Sequence, residues 1–216
     1  SFVAMSEMRK ILARSRVQLG AQDVYWDDRG AFTGEISSRQ LKELSCSYVI
    51  LGHSERRREL AETDEMVNKK IKAALANKIV PIICVGEPAD VRKAGEAEKY
   101  IQDQLAAVFD GISFPKNQTC YIAYEPIWAI STSLVKEAKP EDAVEMHKII
   151  RGWLDENYGH DQTLKVHIIY GGSVDKDSAY SFLREPAIEG VLVGGASVKL
   201  SELNSVIKSA SETLDP

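Results

Sequence analysis

Ile79-Val80-Pro81-Ile82-Ile83-Cys84-Val85 runs without one polar side chain and stops at Gly86-Glu87. A strand with one face in water alternates apolar and polar residues. An unbroken β-branched run suits a strand covered on both faces, as in parallel sheets flanked by crossover helices. Working outward, comparable runs occupy 18–22, 48–52, 119–125, 164–172 and 188–196. Amphipathic stretches lie between them at 2–14, 38–44, 62–77, 94–109, 140–157, 178–183 and 201–209. This alternation predicts an α/β fold with a parallel sheet, either an open doubly wound sheet or a closed barrel. Neither GxGxxG nor GxxxxGK[ST] follows the first run, so the usual nucleotide-binding loops of doubly wound folds are absent.

The chain has 216 residues and a mass of 24.0 kDa, 44% of it hydrophobic and 27% charged, which is enough for one sizeable core and too apolar for disorder. No Ser/Gly linker or break in composition divides it, so a single domain over 1–216 is expected. A net charge of -5 leaves no general basic field for nucleic acid or anionic lipid, so an anion site has to be local. The apolar runs fall far short of the roughly 20 residues that cross a bilayer. No signal peptide opens the sequence, and a cytoplasmic protein with no membrane partner is expected. Cys46, Cys84 and Cys120 form no CxxC pair and read as reduced thiols of the core.

Polar residues gather just after the C-terminal ends of the runs: His53, Glu87, Glu125, Gly171-Gly172-Ser173 and Gly194-Gly195-Ala196-Ser197. Active sites of α/β barrels are assembled at that end. Glu125 leaves its strand at Pro126, where burial can raise a carboxyl's pKa and make it a base; a cap or an ion pair suits the same position. His53 stands where a helix could start, and a neutral imidazole there can donate a hydrogen bond to a substrate oxygen; a structural histidine fits equally. His147 falls on a helix with Met146 and Ile150, His160 in a polar turn and His167 inside a strand, and no chemistry is assigned to them. No HExxH or paired His/carboxylate spacing suggests a metal. The two glycine pairs could be turn geometry, or could let backbone amides approach a phosphate.

Together, 31–37 (AFTGEIS), 51–57 (LGHSERR), 123–129 (AYEPIWA), 170–174 (YGGSV) and 192–197 (LVGGAS) resemble the triosephosphate isomerase family, in the family's order and from end to end of the chain. The resemblance implies a (β/α)8 TIM barrel and the interconversion of dihydroxyacetone phosphate and D-glyceraldehyde 3-phosphate through an enediol(ate), without cofactor or metal. Glu125 would move the proton between adjacent carbons, and His53 would polarise the carbonyl. The amides of Ser131, Ser173, Gly194 and Gly195 would hold the phosphate. Residues 126–136 would form a lid, with Pro126, Ile127, Trp128, Ala129, Ile130, Thr132 and Ser133 in it, and Ile130 and Val191 would help exclude water. Thr33 and Glu35 would insert beside the active site of a second subunit, which implies a homodimer.

The match starts at the family's second helix. Six of the eight strands are identifiable, and the first strand, first helix and second strand, with an Asn and a Lys of the site, lie outside the sequence, so the barrel reads as N-terminally incomplete. Ser131 and Ser133 stand where the family usually has Gly, and Leu134 where it has Lys, which predicts a lower turnover than the family norm. Two other readings share these features: a catalytically impaired barrel fragment or assembly subunit that binds sugar phosphates, and an isomerase of a longer keto-sugar phosphate.

Overall fold

The computed structural model describes residues 1–113, 119–130 and 137–213. The chain falls into two compact units, one of Ser1–Ile83 with Leu105–Tyr121, the other of Cys84–Gln104 with Ile122–Pro216. Along the chain the order is α1 (Phe2–Leu12), β1 (Gly20–Ala21), α2 (Ser38–Glu43), β2 (Tyr48–Leu51), α3 (Ser54–Leu60), α4 (Asp64–Ala76), β3 (Val80–Val85), α5 (Ala89–Lys93) and α6 (Ala97–Val108). It continues with β4 (Cys120–Tyr124), α7 (Pro140–Tyr158), α8 (His160–Thr163), β5 (Val166–Tyr170), α9 (Ala179–Leu183) and α10 (Leu200–Ser211).

The sheet order is β1-β2-β3-β4-β5, each strand beside its successor in sequence. A doubly wound sheet reverses its order at a switch point, whereas a barrel wall does not, and the sequential order decides between the two expectations. The pairing is parallel, with Gly20 opposite Tyr48, and Tyr48 opposite Val80 through Leu51 opposite Ile83.

In the first unit, Thr63 caps α4 by accepting the Met66 N–H at 3.2 Å, and Asp64 and Glu65 occupy its first turn, where the helix dipole favours acidic groups. Val67, Ile71 and Ala74 then form its buried face. Ser37 and Gln40 close a reciprocal capping box at α2, at 3.3 and 2.8 Å.

In the second unit, Pro140 opens α7, and Asp142 reaches back to accept the Lys139 N–H at 3.0 Å. Ala143, Met146, His147, Ile150 and Leu154 make the inner face of this helix. The turn of α5 buries no side chain at all.

Each expected strand is trimmed at its ends in the structure, and two of the six are reduced to one or two paired residues. The run at 18–22 pairs only through Gly20 and Ala21. The run at 188–196 is an isolated parallel bridge between Val191 and Tyr170, carried by Tyr170 N–H to Gly190 O at 2.9 Å and Leu192 N–H to Tyr170 O at 2.8 Å. The Gly194-Gly195 pair ends it, because the chain turns there into a 3-10 segment, Gly195–Val198.

Candidate active site

His53 stands at the end of β2 in the first unit and is the N-cap residue of α3. Its Nδ1 accepts the Glu55 N–H at 3.3 Å. A ring nitrogen that accepts carries no hydrogen, so in this geometry the hydrogen of a neutral imidazole belongs on Nε2.

The residue before it is held from both sides. Gly52 has φ +72, in the left-handed region that favours glycine, and its N–H meets Glu62 Oε2 at 3.2 Å while its carbonyl accepts Arg57 Nε at 2.7 Å. Glu62 belongs to a buried ionic cluster. Lys70 donates to Glu62 and, at 2.7 Å, to Asp23, and Arg56 reaches Asp23 at 2.7 Å and Glu62 at 3.4 Å. Burial pushes the Asp23 carboxyl up, with Lys70 opposing it.

The first unit also carries Thr33 and Glu35, both exposed in a loop whose base is closed by Tyr25 N–H to Ile36 O at 2.8 Å and a bridge from Tyr25 to Ser37. Tyr25 stacks on Trp26 at 4.2 Å and meets Phe32 at 4.6 Å, an aromatic cluster that holds the loop in shape.

Glu125 follows β4 in the second unit and is 2% exposed. Its N–H donates to Val85 O at 2.8 Å, and its carbonyl lies where a Cβ on Gly86 would come within 1.8 Å, so only glycine fits opposite it. A Cβ on Gly171 would approach Glu125 Cγ to 2.9 Å, and one on Gly172 would strike the Tyr170 hydroxyl at 2.1 Å. The Gly171 N–H is taken by Tyr124 O at 2.8 Å. The first glycine pair is therefore packed around Glu125, with the Gly171 amide engaged within the protein. The second pair differs: a Cβ on Gly194 or Gly195 would meet nothing within 4 Å.

Glu87, completely buried, brackets Glu125. Its Oε1 accepts the Tyr124 hydroxyl at 3.0 Å and the Trp128 Nε1–H at 2.7 Å, the residues one before and three after Glu125. Burial, with Glu87 beside it, pushes the Tyr124 phenol well above its ordinary range and keeps it a donor. Pro126 leads into a short 3-10 turn, Ile127–Ala129, in which Trp128 and Ala129 are buried, and Ile130 follows it. The Ser173 hydroxyl donates to Ala129 O at 3.0 Å and so ties the end of that turn to the loop after β5. Val191 sits at the bridge to Tyr170. Ser131, Thr132 and Ser133 lie outside the described residues.

The structure thus brings Glu125, Pro126, Ile127, Trp128, Ala129, Ile130, Ser173, Gly194 and Gly195 into one unit, with His53, Thr33 and Glu35 in the other. Among the described residues no group of three or more His, Cys, Asp or Glu side chains could hold a metal ion. Sequence reasoning places Glu87 at a strand end without giving it a role, and it misses the Asp23–Glu62–Lys70 cluster. Lys70 signals the cluster, as a cation three residues from Val67 on the apolar face of a helix.

A family model described as triosephosphate isomerase matches residues 1–210. The triosephosphate isomerase of Thermus thermophilus is 45% identical over 210 residues, covering 97% of this chain and 83% of the relative. That of Dictyoglomus turgidum is 43% identical over 208 residues, 96% of this chain and 83% of the relative. The crystal structure of triosephosphate isomerase from Bartonella henselae superposes with a TM-score of 0.86 at 34% identity, covering 96% of this chain and 83% of that one. With an end-to-end family match and a sequential parallel sheet, the chain belongs to the triosephosphate isomerase family, α/β-barrel enzymes that interconvert dihydroxyacetone phosphate and D-glyceraldehyde 3-phosphate.

Proposed function

We propose that Glu125 is the base of this isomerisation. It would take a proton from one substrate carbon and return it to the neighbouring one, while His53 donates from Nε2 to the carbonyl oxygen on which charge develops. The observation that carries this reading is the setting of Glu125. It is withdrawn from water, its backbone is closed against Gly86, and the residues on either side of it are hydrogen-bonded to one carboxylate oxygen of Glu87. A base that must meet a carbon-bound proton needs such fixed geometry more than it needs reach. For His53, support comes from the Nδ1 bond to the Glu55 amide, which leaves Nε2 as the donor.

Ser131, Ser173, Gly194 and Gly195 are the phosphate-holding residues of this proposal. The open space over Gly194 and Gly195 leaves room for an anion, and Ser173 is held against Ala129. Residues 126–136 are its lid, with Pro126 and the 3-10 turn at Ile127–Ala129 as the pivot. Shielding the enediolate there favours reprotonation over loss of phosphate. The whole chain acts in this reading as one barrel domain, paired as a homodimer through the loop bearing Thr33 and Glu35, in the cytoplasm. The three buried cysteines, none of them in a disulfide among the described residues, agree with a reducing compartment. Among the described residues no helix is long and apolar enough to cross a membrane.

The test is Glu125→Gln, assayed in both directions with the two triose phosphates. Loss of the base is expected to lower kcat by about 10²- to 10⁴-fold with the fold retained. A variant that turns over within about twofold of the parent would remove Glu125 from that role.

A further inference from the structure

Arg92, on α5, makes a set of contacts that the isomerisation chemistry of Glu125 and His53 leaves unused. Its guanidinium carbon lies 4.9 Å from the centroid of the Trp128 ring. Nη1 donates to Glu87 Oε1 at 3.2 Å, and Nη2 reaches Asp142 at 3.0 Å and Glu145 at 3.4 Å, both on α7. The Trp128 indole is therefore held on its edge by Glu87 and on its face by the cation that pairs with Glu87. We propose that Arg92 is a positioning residue for the isomerisation. It fixes the pivot Ile127–Ala129, from which the chain after Glu125 departs, by clamping Trp128 against Glu87 and anchoring both to α7.

Three observations separate this from ordinary packing. The helix that carries Arg92 buries no residue, so this side chain does not serve a core face of α5. All the donors on Glu87 converge on Oε1, while Oε2 is buried with no partner among the described residues. The carboxylate is thus oriented towards the pivot at the expense of its own second oxygen. The four contacts of Arg92 also need a flat, forked cation: lysine could neutralise Glu87 but could not cover the indole and reach α7 together.

The proposal rests on the reading that Glu125 is the base and that 126–136 shields the enediolate. It is tested in the full chain with Arg92→Lys, following kcat, KM and the inorganic phosphate released per isomerisation. A loosened pivot is expected to lower kcat about tenfold with KM within about twofold, and to raise the phosphate ratio about tenfold, because misplacement by a fraction of an ångström is costly at the reacting atoms. Asp142→Asn keeps one oxygen to accept the Lys139 N–H, removes the charge that tethers Arg92 to α7, and is expected to raise the same ratio about two- to threefold. A residue that merely holds the fold would lower the thermal midpoint and leave the ratio alone. If Arg92→Lys does not fold, Asp142→Asn decides the matter. A phosphate ratio unchanged in the folded variants overturns the proposal. Glu125→Gln keeps the two readings apart. Full activity there removes the base assignment, whereas an inactive Glu125→Gln beside unaltered Arg92 and Asp142 variants removes the role of Arg92 alone.

Discussion

His147, 1% exposed on α7, donates from Nδ1 to the Ala187 carbonyl at 2.9 Å and leaves Nε2 buried without a partner among the described residues. Burial holds its pKa down to about 4, the Ala187 carbonyl pulling the other way. Well above about pH 6.5 neither the folded nor the unfolded chain protonates this ring, and the group has no influence on stability. As the pH falls from there towards 4, the unfolded chain binds a proton that the folded state refuses, so stability drops. Between about pH 7.5 and about pH 5 the loss is about 2 kcal/mol. His147→Asn retains a donor for Ala187 but cannot titrate, so urea unfolding at the two pH values should lose most of that difference; an unchanged slope would assign the acid sensitivity to other groups. At this scale the sequence shows where Glu125 and His53 stand, because a polar residue at the end of an apolar run is visible in one dimension. The partnership of Glu87 with Tyr124 and Trp128 is not, since those residues are 37 and 41 positions away and only the fold brings them to it.

The element that most depends on its charges is α4. Lys70 faces inwards from it and satisfies Asp23 and Glu62, while Arg56 supplies the other cation. Replacing one member of such a buried group leaves uncompensated charge behind, so Lys70→Met is expected to cost about 3–5 kcal/mol in urea unfolding. By contrast, removing the exposed Lys99–Asp103 pair on α6 should change nothing measurable. A loss no larger for Lys70→Met than for Lys99→Met would mean that the cluster is neutralised in another way. The long amphipathic helices and the central strands are readable from periodicity, since each has an apolar stripe or run of its own. The short helices α3 and α5 are not. α3 buries only Ser54 and α5 buries nothing, so neither leaves an apolar pattern to detect, and each takes its place from the strand that precedes it. The last expected strand is too long for the opposite reason: its apolar residues continue to Val193, but the backbone turns at the glycine pair.

For the molecule as a whole, the sequential strand order is legible only as a choice between two α/β architectures, because alternation of elements does not specify which strands become neighbours. Oligomeric state is a separate matter. A homodimer formed through the loop of Thr33 and Glu35 would sediment at about twice 24.0 kDa, and Thr33→Arg, placing a long cation at an exposed position of that loop, should return it to 24.0 kDa. A parent chain that sediments at 24.0 kDa across the micromolar range would overturn the dimer. The grip on Trp128 also makes the ring an optical gauge. An indole with a carboxylate at its N–H edge and a guanidinium over its face sits in a fixed electric field, and a field that acts differently on the ground and excited states displaces the emission spectrum. With Trp26 and Trp153 replaced by Phe, the colour of the remaining fluorescence would report how that field changes as the pivot moves, without any attached label.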